Sequence, residues 1–169
     1  MLTRLIRGIS FLAVTAVALF QYATWHHLSP DFGPRVRLGV SSYIELMQGL
    51  FDSIGTGTRI AIFVALFSTL TSTALLLRRS RSAAFVTGAA AVLVAATAVV
   101  ATTYNASVNA RIMAWSMQDP RADLDSVRAQ WEWGHGLTAG FVVLSMLLLV
   151  AALQLSPIVS SKATSSPGS

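Results

Sequence analysis

The chain has 169 residues, 54% of them hydrophobic and only 11% charged, with a formal net charge of +5. A soluble domain carries about a quarter charged residues, so this deficit points to lipid as the solvent. The absence of cysteine excludes disulfides, thiolate metal sites and thiol catalysis. The basic residues are scattered at segment ends, so no basic–aromatic face for nucleic acid forms.

A helix needs about 20 apolar residues to cross a bilayer. Four stretches qualify: residues 8–25, 60–77, 83–104 and 136–159. Backbone groups in hydrocarbon must be satisfied within their own segment, so each is expected to be a helix. The first follows Arg4 and Arg7 but runs into the bulky, polar "FQYATWHH". That is no small-residue cleavage site, so it reads as an uncleaved span rather than a signal peptide. "SPDFGP" then breaks the chain. Beyond it Val40, Tyr43, Ile44, Met47, Leu50, Phe51 and Ile54 recur at intervals of three and four, which predicts an amphipathic helix. It would lie in the interface or cap the bundle, with Gly55 and Gly57 breaking it from the second span. The turn "RRSRS" joins the second and third spans. Residues 105–134 read as an extension of the third helix, a turn near "QDPRAD", and an entry to the fourth helix capped by Asp125 or Ser126. The fold class is therefore all-α: one four-span transmembrane bundle over residues 1–160, with an extracytoplasmic amphipathic helix between spans one and two. The tail, residues 161–169, is small and polar and expected to be disordered.

Four spans put Arg4, Arg7, Arg78, Arg79, Arg81 and Lys162 on one side, and Arg35, Arg37, Arg59, Arg111, Arg121 and Arg128 on the other. The count ties, but the short second turn concentrates three arginines beside span ends. Short loops dominate the positive-inside rule. Both termini are thus expected inside, in a bacterial plasma membrane.

The stretch "RAQWEWGH" is the polar anomaly of the chain. On a helix Arg128, Glu132 and His135 share one face, and Trp131 borders it. Trp133 points elsewhere and reads as an interfacial anchor. Ionisable residues where an apolar run begins usually face a cavity or a partner. Thr102, Asn105 and Asn109 form a matching stripe on the third helix, either as interhelical hydrogen bonds or as a polar wall. His26 and His27 are adjacent, about 100° apart on a helix, so at most one faces inward. Glu45 and Gln48 form the wet face of the amphipathic helix. Two histidines and a carboxylate can make a facial triad for iron, and histidines suit copper. His135, Glu132, His26, His27 and Glu45 are accordingly the candidate ligands for a single iron or copper ion. The spacing carries no dedicated metal motif, phosphate loop or dinucleotide fingerprint, and no serine sits in a nucleophile elbow.

Asn109 and Trp115, a short acidic–basic loop, then Arg128, Trp131, Glu132 and His135 at the mouth of the last span together resemble the anthrone oxygenase-like family. These are small four-helix membrane proteins, many with no assigned reaction. The likeness covers the third and fourth helices, and the first half only by layout. Ser107 and Thr138 stand where the family often has proline and arginine. The resemblance implies a membrane oxidoreductase acting on a hydrophobic, aromatic or quinone-like molecule that enters from lipid, either cofactor-free or metal-dependent. In a cofactor-free version His135 is the base, oriented by Glu132, and Asn109 hydrogen-bonds the developing oxyanion. Trp131 and Trp115 would be flat walls, with Arg128 and Asn105 as further substrate contacts. The alternative is a non-catalytic membrane partner or small-ligand-binding subunit, in which the polar stripe only locks helices together.

Overall fold

The computed structural model describes residues 39–115 and 123–155, except the side chains of Leu50, Ser53 and Ile54, together with Leu5, Gly8, Phe11, Leu12, Val14, Thr15 and Ala18. The histidines His26 and His27, the "SPDFGP" breaker, most of the "QDPRAD" turn and the tail lie outside the described residues. The described elements are all helical. Helix α1 spans Val40–Leu77, α2 Arg81–Val100, α3 Ala106–Met113 and α4 Leu124–Gln154. A π-helical turn, Ala101–Asn105, joins α2 to α3 in one continuous rod.

Among the described residues three helical stretches are long and apolar enough to cross a bilayer: Gly55–Leu77, Arg81–Met113 and Leu124–Gln154. The chain is therefore built as an integral membrane protein. The α1, α2 and α4 helices meet in a core of Ile62, Ala65, Ala90, Val94, Ala98, Val142 and Leu149. Small side chains dominate because helices in lipid gain by close backbone approach, not by escaping water. Two buried hydroxyls serve their own helix: Thr69 donates to the Ala65 carbonyl at 2.6 Å and Thr87 to that of Ala83 at 2.8 Å. Of the first apolar segment, Val14 is buried in this same core and Ala18 packs against it.

Glycines 55 and 57 do not break the chain. Helix α1 runs through both, and no described glycine has a positive φ. Each glycine costs roughly 1 kcal/mol against alanine in a helix. Opening the ladder where the second span begins would strand carbonyls and amides that lipid cannot satisfy, which costs several times more. The amphipathic segment is thus the outer part of α1.

At 1.5 Å per residue, α1 is about 57 Å long, nearly twice the ~30 Å hydrocarbon thickness. The rod and α4 overshoot at the same end, opposite the Arg78–Arg81 turn. There Tyr43, Ile44, Met47, Val108, Ile112, Trp115, Val127 and Trp131 form a second core, the head of the molecule, with Val40 and Phe51 against it. Of the periodic residues of the sequence, Val40, Tyr43, Ile44, Met47 and Phe51 pack here. Gln48 lies on the flank of this face, and its Nε2 donates to the carbonyls of Trp115 (3.1 Å), Ile112 and Met113 (both 3.4 Å). It so caps the end of α3, where helix carbonyls lose their partners. Gln48→Ala is expected to lower stability by about 1 kcal/mol, read as a lower Tm in detergent. Gln48→Glu should not restore it, because a carboxylate cannot donate to a carbonyl.

The turn between α1 and α2 closes as expected. Ser80 N-caps α2 and its hydroxyl accepts from the Ala83 amide at 3.4 Å. At the start of α4 the N-cap is Asp123, so Asp125 and Ser126 fall inside the first turn. The Asp123 carboxylate pairs with Arg111 at 2.8 Å instead of capping the helix.

Candidate functional site

The site candidates gather where the π-turn meets α4. In the turn the Ala106 amide reaches back to the Ala101 carbonyl, five residues earlier. The threonine hydroxyls on both sides of the register change compete for the ladder: Thr102 donates to Ala98 and Thr103 to Val99, each at 2.7 Å. Such back-bonding loosens and bends a helix. The extra residue re-phases the stripe expected from the sequence. Thr102 is exposed, Asn105 is buried at 5% exposure and Asn109 is half-buried.

Opposite Asn105 stands Gly134, buried in α4. A Cβ at this position would collide with Asn105 Oδ1 and come within 2.8 Å of Tyr104 Cδ1 and Cε1. Only glycine lets the two backbones approach this closely. No spacing within residues 102–105 marks Gly134 as their neighbour; its contact with Tyr104 and Asn105 exists only once the two helices are packed.

His135 is half-buried, one position beyond Gly134. Its ring stacks on Trp131 with centroids 3.9 Å apart and planes 23° apart. Nδ1 lies 2.9 Å from the Trp131 carbonyl. A carbonyl only accepts, so in this bond Nδ1 carries the hydrogen and the neutral ring keeps its basic lone pair on Nε2. The group at Nδ1 is the backbone one turn earlier. Glu132 itself is half-buried.

The two neighbouring tryptophans divide as their helical phase predicts. Trp131 is 1% exposed and belongs to the head core, whereas Trp133 is 67% exposed. Trp115 is also a core residue of the head. Arg128 places its guanidinium carbon 4.3 Å from the centre of the Tyr43 ring, a cation–π contact that ties α4 to α1. Its Nε is buried without a hydrogen-bond partner.

The amide oxygens of Asn105 and Asn109 are also buried without a hydrogen-bond partner. An unmet buried acceptor costs about 1–3 kcal/mol, so two within five residues of one rod mark a place that another polar group completes. Ser107 is exposed and donates to Tyr104 at 2.7 Å. Thr138 is fully buried and donates to the carbonyl of His135 at 3.0 Å. Position 138 therefore faces neighbouring helices.

Among the described residues no group of three or more histidine, aspartate or glutamate side chains could hold a metal ion. Glu45 is exposed, off the packed face of α1, which separates it from the head core. No family model, curated protein or solved structure matches the chain.

Proposed function

We propose that the protein is a membrane oxidoreductase of the anthrone oxygenase type, in which His135 takes an acidic C–H proton from a flat, hydrophobic ketone. The observation that carries this reading is the 2.9 Å contact of His135 Nδ1 with the Trp131 carbonyl: a neutral ring that donates there keeps its basic lone pair on Nε2. The indole of Trp131 braces the ring from one side. The unmet amide oxygens of Asn105 and Asn109 support the same reading, because they can accept from a substrate hydroxyl. A stripe that only locked helices together would spend those groups on each other.

The chemistry balances without a further reductant. Proton loss from a methylene flanked by aromatic rings and conjugated to a carbonyl leaves an electron-rich carbanion. Dioxygen adds there. One oxygen stays as the new carbonyl, and the other leaves as water with the two methylene hydrogens. The protein's part is to orient the C–H towards Nε2, hold the enolate oxygen and exclude bulk water. Purified protein supplied with anthrone should consume dioxygen and form the quinone faster than detergent alone. Ligand binding without dioxygen uptake would favour the non-catalytic alternative.

The reading includes a four-span topology with the head outside the cytoplasm. Val14 in the bundle core supports the first segment as the fourth span. In this cysteine-free chain, single cysteines at Ser80 and Asp123 report the sides. An impermeant maleimide is expected to label Asp123→Cys in intact cells and to leave Ser80→Cys unlabelled until lysis. Labelling in the opposite order would reverse the orientation.

A further inference from the structure

Arg59 is the only charged residue in the candidate span Gly55–Leu77. It is exposed, and among the described residues it has neither hydrogen bond nor ion pair. A charged side chain inside a span usually marks a partner or a ligand. Arg59 lines a cleft of about 240 Å³ between α1 and the π-turn, with Ile62, Phe63, Ala101, Thr102 and Ala106. No carboxylate is among these residues, and the Thr102 hydroxyl donates its proton to the Ala98 carbonyl. The guanidinium is thus the one side-chain donor left for an anion.

The placement has the polarity of an amphiphile. Arg59 lies four residues inside its span, about 6 Å along the axis, a depth from which its stem can lift the charge to the head-group layer. Ile62 and Phe63, three and four positions on, sit one turn deeper on the same face. The small residues Ala101 and Ala106 leave room on the opposite wall. The volume falls below the ~300–1,000 Å³ of pockets that enclose a whole drug-sized ligand, and suits one segment of acyl chain.

We infer that this cleft binds a phospholipid with an anionic head group. Arg59 takes the phosphate through the planar fork of its guanidinium, and one acyl chain lies along Ile62, Phe63 and the π-turn. Bilayer lipid is the favoured occupant because cation and apolar wall are stacked in the order of a lipid's own head and tail.

Intact-protein mass spectrometry from neutral detergent tests this with phosphatidylglycerol, phosphatidylcholine and inorganic phosphate as probes. The wild type should retain one phosphatidylglycerol, bind phosphatidylcholine more weakly, and keep its lipid in millimolar phosphate. Arg59→Gln should weaken phosphatidylglycerol by about tenfold or more, the loss of one charge-assisted contact. Ala106→Phe keeps the cation but fills the cleft, and should lose the lipid as well. Circular dichroism and melting of Arg59→Gln should match the wild type, since Arg59 has no partner among the described residues to lose. The inference is overturned if Arg59→Gln retains phosphatidylglycerol as the wild type does, if phosphatidylcholine binds equally well, or if inorganic phosphate displaces the lipid.

Discussion

Gly134→Leu is expected to be among the most damaging single substitutions in the helical bundle. Even the first carbon of a side chain there meets Asn105 and the Tyr104 ring. The neighbours are a rigid aromatic edge and a buried amide, so neither yields without moving the π-turn. Overpacking a tight site costs typically ~1–3 kcal/mol, and Gly134→Ala should fall in that range, with leucine beyond it. Gly140 provides the control on the same helix: a Cβ there meets nothing within 4 Å. Gly140→Leu should therefore stay within about 0.5 kcal/mol of wild type, as surface changes do. Melting in a common detergent compares the two. A double-mutant cycle adds the cause: Asn105→Ala should recover part of the loss in Gly134→Ala, because the residues are in contact and their effects do not add. Equal losses at Gly134 and Gly140 would place the defect in lipid exposure instead of the helix contact.

His135→Ala is expected to leave a folded, membrane-inserted protein with its oxygenase turnover reduced ~10²–10⁴-fold, the usual contribution of a general base. Its structural cost includes the stack on Trp131, worth about 0.5–1.5 kcal/mol, and the Nδ1 contact with the Trp131 carbonyl. His135→Gln separates the roles, since an amide can hydrogen-bond but cannot take the proton at neutral pH. Both variants should melt near the wild type and both should lose dioxygen uptake. If Gln retains turnover that Ala lacks, His135 positions the substrate and is not the base.

Three of the four expected spans, those at 60–77, 83–104 and 136–159, were legible because lipid demands long apolar stretches, and the head core because Tyr43, Ile44, Met47 and Phe51 keep helical spacing. Trp131 and Trp133 were separable by phase alone. The break expected at Gly55 and Gly57 failed because a local propensity of about 1 kcal/mol per glycine is overridden by the need to satisfy backbone in lipid. The π-turn was hidden for a related reason. It sets Tyr104 and Asn105 against a glycine on another helix, some thirty residues further along the chain. Periodicity within one segment therefore shifts at Thr102 without warning. The Nδ1 partner of His135 is backbone, which side-chain spacing does not register. Arg59 was counted only as a topology charge; its cleft exists only once α1 and the rod are packed.

The central claim is that Nε2 of His135 removes a carbon-bound proton, a step that does not require dioxygen. The most direct measurement is anaerobic hydrogen–deuterium exchange at the methylene of anthrone in deuterated buffer, followed by proton NMR. Wild-type protein is expected to accelerate exchange well above the detergent blank without forming quinone, and His135→Gln is expected to return it to the blank rate. Exchange at the blank rate with wild type, or at the wild-type rate with His135→Gln, would contradict the account.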